Sequence, residues 1–256
     1  MWQRIRSYFR FLLNSTNQHG VHSPFVFQLV TKCFYDKTHY KAYDQLKKYR
    51  HVLLENNKII FIKDYGAGSR TSSSVKRKVS ALAKKVGTSS KRQQLLFRLA
   101  QYLNVHASLE LGTSLGLATS ALAQKKDNKI TTIEGSMEVA HIAKNLFKNF
   151  GLSNIASKTG QFDQVLPSLL DRKYDLVFID GHHQKESTLR YFEQLIPCAH
   201  NDTIFIFDDI YWSSGMEVAW KEIKQHPKVK VTIDTYHWGL VFFRAEQEKE
   251  HFTIRV

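Results

Sequence analysis

Beyond residue 100 the chain alternates short continuous apolar runs with segments whose apolar residues recur every three to four positions. The runs at 107–111 (ASLEL), 130–134 (ITTIE), 174–180 (YDLVFID), 203–208 (TIFIFD) and 239–243 (GLVFF) predict strands, with a further one at 229–235. The periodic segments predict helices over 116–126, 137–150, 186–197 and 215–226. Strands that are apolar on both faces and separated by amphipathic helices imply a parallel sheet covered on both sides. Such sheets bind ligands beyond the carboxyl ends of their strands. That rule directs attention to 110–116, Glu134, 180–183 and the pair Asp208-Asp209.

The first hundred residues follow a different pattern. Residues 2–13 place Trp2, Ile5, Phe9 and Leu12 at helical spacing with arginines between them. A stripe of this kind is expected to pack on its own domain; a membrane surface is the alternative. Ser23-Pro24 reads as an N-cap and first helical residue. A strand is predicted at 58–62 (KIIFI), followed by a loop holding Asp64, Gly66, Gly68 and Arg70. Val75, Val79, Leu82, Ala83 and Val86 predict one helical face ending at Gly87, after which Ser89 or Ser90 caps another helix. The expected division is a basic, mostly helical extension over 1–88 and a ligand-binding domain over 89–256.

Charge sharpens that division. The formal net charge is +14, and residues 1–100 carry 20 Lys/Arg against 4 Asp/Glu, whereas residues 101–256 carry 17 against 19. The basic part attracts anionic partners, and a solvated basic surface is the plainer reading. No apolar run reaches the ~20 residues that span a bilayer. Arg4, Arg6 and Arg10 interrupt the one candidate signal segment. Two cysteines, Cys33 and Cys198, imply neither a disulfide framework nor a zinc site. The cytoplasm is the simplest compartment.

The glycine turn and the acid that closes the next strand point to the ligand only when taken together. Glu110, Gly112, Thr113, Ser114 and Gly116 end one strand and open a helix, where glycines let the backbone approach a ligand. Glu134 closes the next strand and can accept both ribose hydroxyls of an adenosine. A nicotinamide dinucleotide needs Gly-x-Gly-x-x-Gly with a pyrophosphate over the helix terminus. Here the glycines stand four apart, and a carboxylate at the loop would repel a pyrophosphate. A ligand with an ammonium and a sulfonium would be attracted, as in S-adenosylmethionine. The loop at 64–70 mimics this turn but leads into a basic stretch, and reads as a lid or substrate loop with Arg70 near an anionic group.

Residues 90–244 resemble a class I, Rossmann-like S-adenosylmethionine-dependent methyltransferase, particularly the O-methyltransferases similar to catechol O-methyltransferase. The likeness is carried by LELGTSLGLAT, TIEGSMEVAHIAKNLFKNFGL and SKTGQFDQVLPSLL. It implies that Glu110 and Gly112 lie near the methionine part, Glu134 with Gly135 at the ribose, and Gln161 with Phe162 around the adenine. Thr113, Ser114, Gly116 and Asp180 complete the expected cofactor set. The fold implied is a doubly wound, mostly parallel α/β sheet carrying a helical basic extension.

Asp180, Asp208 and Asp209 end neighbouring predicted strands, and three such oxygen ligands would suit Mg²⁺ or another divalent cation. The resemblance implies an Asp-Asn pair where this chain has Asp208-Asp209; related sugar O-methyltransferases carry an acidic pair there, and metal-free methyltransferases also place carboxylates at these strand ends. The catechol-type base is a lysine three residues after the first aspartate. Here that position is His183, a credible proton acceptor, with His182 and Lys185 as rivals. Tyr211, Trp212, His237 and Trp238 are candidates for an aromatic wall.

The expected function is methyl transfer to a hydroxyl of a small, anionic molecule. An RNA or protein methyltransferase using the basic part as an arm is the alternative, although no nucleic-acid module is recognisable. A non-enzymatic interaction protein on a methyltransferase scaffold is the third. The sequence leaves the oligomeric state open.

Overall fold

Helix α1 (Trp2–Asn14) and helix α2 (Pro24–Leu29) open the chain. The computed structural model describes residues 2–63, 74–85 and 88–256. Two compact units are formed, the first from Met1–Asp36 with Leu170–Val256 and the second from Lys37–Leu169. The loop at 64–70, together with Val86 and Gly87, lies outside the described residues. Ser23 caps α2 as its sequence indicates, its Oγ accepting from the Val26 N–H at 3.4 Å.

The second unit begins with α3 (Lys41–Glu55), β1 (Ile59–Lys63), β2 (Ser74–Lys78), α4 (Val79–Lys85) and α5 (Ser90–Tyr102). Val75 therefore belongs to a strand and not to the helical face expected for it. β2 pairs antiparallel with β1, Val75 opposite Ile62, and only at Val79 does the helical period take over, burying Val79 and Ala83. The unit continues with β3 (Ala107–Leu111), α6 (Leu117–Leu122), β4 (Lys129–Glu134), α7 (Met137–Asn149), β5 (Ile155–Thr159) and α8 (Phe162–Val165). β3, β4 and β5 are parallel neighbours in that order. β3 is buried from Ser108 to Leu111, and every residue of α6 is buried, as expected of a strand and crossover helix covered on both sides. β5 (IASKT) is half-exposed at the rim and so has no apolar run to announce it.

The first unit resumes with β6 (Leu176–Ile179), α9 (Lys185–Leu195), β7 (Ile204–Asp208), α10 (Ser214–Gln225), β8 (Val231–Asp234), β9 (Trp238–Phe242) and β10 (Glu250–Thr253). Its strand order is β10-β8-β9-β7-β6. β6 and β7 run parallel, as do β10 and β8, while β9 is antiparallel to both its neighbours. All four residues of β6 and all five of β7 are buried. The chain is thus α/β with mostly parallel strands and helical crossovers, and its first hundred residues are mainly helical.

Helix α1 departs from expectation. It buries Ser7 and Phe11, whereas Trp2, Ile5 and Phe9 of the predicted stripe are exposed. Its packed side is set by polar and aromatic contacts. Gln3 and Ser7 donate to the Glu217 carboxylate, the Tyr236 hydroxyl donates to the Arg4 carbonyl at 3.0 Å, and Tyr8 and Phe11 meet the Tyr236 ring.

Candidate active site

In the second unit the end of β3 feeds a tight turn. Gly112 and Gly116 have φ of +107° and +78°, and Ser114 between them has +47°. Left-handed backbone is cheap for glycine and costs an L-residue energy. At Gly116 a side chain is also excluded by space, because a Cβ would lie 2.5 Å from the Phe147 ring and 2.6 Å from the Tyr49 hydroxyl. The Gly112 and Thr113 N–H groups both donate to the Ile133 carbonyl of β4, at 3.0 and 3.1 Å. The turn is held from outside as well: buried Tyr49 of α3 donates to the Leu115 carbonyl at 2.9 Å, and Gln93 of α5 donates to the Leu117 carbonyl at 2.8 Å. Sequence reasoning missed these two supports, since neither stands near the glycine motif along the chain.

The Glu110 side chain is fully buried. The hydroxyls of Thr119 and Thr132 donate to its Oε2, Thr132 at 2.5 Å, and Thr113 contacts the Thr132 hydroxyl at 2.5 Å. Because Thr132 spends its one hydrogen on Glu110, Thr113 is the donor in that contact. Oε1 is buried with no hydrogen-bond partner among the described residues. Burial pushes the Glu110 carboxyl up to about 7; the threonine hydroxyls oppose the rise and the negative charge of Glu134 adds to it. A buried carboxylate with one unpartnered oxygen favours a cationic partner over an anionic one.

Glu134 closes β4. Its Oε2 accepts from the Ser114 N–H at 2.8 Å and its Oε1 from the Ser136 N–H at 2.9 Å. Burial raises its pKa too, with these backbone donors pulling the other way. A carboxylate offers about four lone-pair positions, so both oxygens retain capacity for hydroxyl donors. The structure therefore brings Glu110, Gly112, Thr113, Ser114, Gly116 and Glu134 into one hydrogen-bonded cluster, in which the acid of the second strand fastens the glycine turn of the first. Gly160 donates to the Glu134 carbonyl at 2.9 Å, which brings the start of the 161–162 segment to the same strand end. Gln161 is exposed as the N-cap of α8, and Phe162 is buried.

In the first unit Asp180 follows β6. Its Oδ1 lies 3.6 Å from His183 Nε2. His182 and His183 both have positive φ, +64° and +29°, a strained backbone that is commonly kept at functional turns. The two histidine rings face different neighbours: His182 meets Tyr191 edge-on at 5.7 Å, and His183 tilts against Trp212 at 6.1 Å. Lys185 pairs with Glu222 at 2.7 Å. Of the aromatic candidates, Trp212 is exposed and Trp238 is core, packed against Phe178. Tyr211 stacks on Tyr236 and donates to Asp234 Oδ2 at 2.5 Å. His237 is exposed.

Asp208 is buried at the end of β7, and Asp209 has a left-handed backbone with φ of +52°, its charge felt at Tyr236. Among the described residues no group of three or more His, Cys, Asp or Glu side chains is placed to hold a metal ion. The three-ligand arrangement expected of Asp180, Asp208 and Asp209 is therefore not formed.

Residues 109–210 match the methyltransferase domain family. A protein of Mycobacterium sp. (strain JLS), provisionally named an O-methyltransferase, is 36% identical over 91 residues, 34% of this chain and 41% of that one. The match thus spans about two fifths of the length of the curated relatives. The O-methyltransferase TomG of Streptomyces achromogenes, solved with S-adenosylmethionine, aligns over 84% of this chain and 95% of its own with a TM-score of 0.58 at 15% identity. The O-methyltransferase of Bacillus cereus, solved with S-adenosylhomocysteine, aligns over 84% and 96% with a TM-score of 0.57 at 19% identity. At such identities the structures establish the shared Rossmann-like fold. No described helix is long and apolar enough to cross a membrane.

Proposed function

We propose that this chain, whose residues 109–210 match the methyltransferase domain family, is a class I S-adenosylmethionine-dependent methyltransferase that transfers a methyl group to a hydroxyl of a small molecule. The observation that carries the reading is the buried, unpaired Oε1 of Glu110 beside a Glu134 carboxylate bonded to the same glycine turn. Two carboxylates raised by burial are a poor place for a pyrophosphate and a good one for a nucleoside that carries positive charge.

Glu110 and the turn at 112–116 would hold the methionine part, Glu134 with Gly135 the ribose, and Gln161 with Phe162 the adenine. When bound, S-adenosylmethionine supplies an electrophilic methyl carbon on its sulfonium. Ionised Glu110 would stabilise the ammonium, and its threonine contacts would hold the carboxylate still, so that binding costs little reorganisation. In the first unit His183 would take the proton from the acceptor oxygen, and Asp180, 3.6 Å from the His183 ring nitrogen, would stabilise the imidazolium. The base assignment favours His183 over its rivals because Lys185 is engaged by Glu222 and His182 packs on Tyr191. An anionic acceptor remains the proposal that the basic first part of the chain favours.

The test is calorimetric titration of the full chain with S-adenosylhomocysteine and with NAD. Binding of the first and silence toward the second is the expected result. Equal binding, or binding of NAD alone, overturns the reading.

A further inference from the structure

Helix α1 leaves most of its apolar surface uncovered. Trp2, Ile5, Phe9 and Leu13 are 86%, 43%, 61% and 86% exposed. At helical geometry these four fall within an arc of about 80° and extend along about 16 Å of the axis. The unit's own contacts use the opposite side, where Gln3, Ser7 and Phe11 meet Glu217 and Tyr236. The stripe is therefore not the face that attaches the helix to its unit. It borders a groove of about 790 Å³ shared with α10, whose rim adds exposed Val218 and Lys221.

The charge carried by the helix itself is of one sign, although Glu217 of α10 also lines the groove. Arg4, Arg6 and Arg10 are all exposed, and α1 contains no acidic residue. On the helical wheel Arg6 and Arg10 follow directly along one edge of the stripe, about 20° and 60° beyond Leu13. An apolar face of this width, edged by arginine and led by an indole, has the composition of a helix that lies in a lipid headgroup region. There the arginine stems cover apolar surface while the guanidinium groups reach the phosphates. A second copy of this chain is a poorer occupant. It would bring the same arginines, and a second net charge of +14, to the contact.

We propose that α1, with the adjoining edge of α10, docks the protein on the surface of an anionic lipid bilayer. Trp2, Ile5, Phe9 and Leu13 enter the acyl boundary, and Arg6 and Arg10 pair with headgroup phosphates. The docking is peripheral and reversible, and it sums apolar burial with electrostatic attraction.

The full chain is sedimented with vesicles of phosphatidylcholine and with vesicles of phosphatidylcholine plus phosphatidylglycerol. Binding to the mixed vesicles and not to the neutral ones is expected, falling as salt shortens the screening length toward about 3 Å at 1 M. Phe9→Glu alters an exposed side chain, so the thermal midpoint should hold while the partition coefficient falls at least about tenfold. The double change Arg6→Gln with Arg10→Gln should weaken binding to the mixed vesicles and leave the apolar face intact. The proposal is overturned if wild type ignores both vesicle types, or if both variants bind as wild type does. It is also overturned if sedimentation velocity shows a dimer that Phe9→Glu dissolves in a protein that does not bind lipid, since a second copy would then own the face.

Discussion

Replacing Glu110 with glutamine keeps the shape of a fully buried side chain and removes its ionisation. In the folded protein the carboxyl titrates at about 7 against an ordinary 4.5, chiefly because it is buried. The fold therefore holds this proton more tightly than the unfolded chain does. Unfolding free energy falls as pH rises from 4.5 to about 7 and is level above that, by a total of about 3 kcal/mol from this group. Glu110→Gln should abolish that slope, leaving the unliganded variant as stable as wild type at pH 5 and more stable at pH 8. Ligand binding should move the other way. An ionised Glu110 facing an ammonium contributes about 1.5–3 kcal/mol, so the variant should bind S-adenosylhomocysteine ten- to a hundredfold more weakly at pH 8. At pH 6 the wild-type carboxyl is mostly protonated and must release its proton to meet the cation. Calorimetry in buffers of different ionisation enthalpy should count close to one proton released by wild type and none by the variant. Urea unfolding at the two pH values completes the test. A variant that keeps the wild-type pH slope, or binds the ligand as tightly without any change in proton release, would refute the reasoning.

Gly116→Ala forces a side chain into left-handed backbone and into Phe147 and Tyr49; it should cost about 3 kcal/mol or more in urea unfolding, and a loss below 1 kcal/mol would contradict the packing described. His183→Asn should lower kcat by about 10²–10⁴ while S-adenosylhomocysteine binds unchanged, and an unchanged kcat would move the base elsewhere. Tyr211→Phe leaves the Asp234 Oδ2 without its 2.5 Å donor and should cost about 1–3 kcal/mol in thermal or chemical unfolding.

The strands that chemistry depends on were legible because they are buried on both faces. Ala107–Leu111 occupies the residues predicted for it, and β6, β7 and β9 lie within a residue or two of their predicted runs. β5 and β10 escaped notice for the converse reason: IASKT and EHFT are half-exposed strands at a rim, with Lys, Ser, Glu and His where an apolar signal would be needed. The hairpin β1–β2 was half seen, since the valine at 75 fits a helical face as well as a strand and only its pairing with Ile62 decides. In the site, the glycine turn and the two acids could be placed from spacing alone. The threonines that hold Glu110 could not, because Thr119 and Thr132 reach it from a helix and from the neighbouring strand. Tyr49 is 66 residues from the carbonyl it holds. The expected carboxylate trio has no counterpart among the described residues, because strand-end position alone does not determine whether side chains converge.

The central claim is that Glu110 and Glu134 grip one positively charged nucleoside. A crystal structure of the full chain grown with S-adenosylhomocysteine measures this directly. The account predicts ribose hydroxyls on the Glu134 carboxylate and the ligand ammonium within hydrogen-bond reach of Glu110 Oε1. A ligand bound elsewhere, or bound here with Glu110 Oε1 still unpaired, would contradict it.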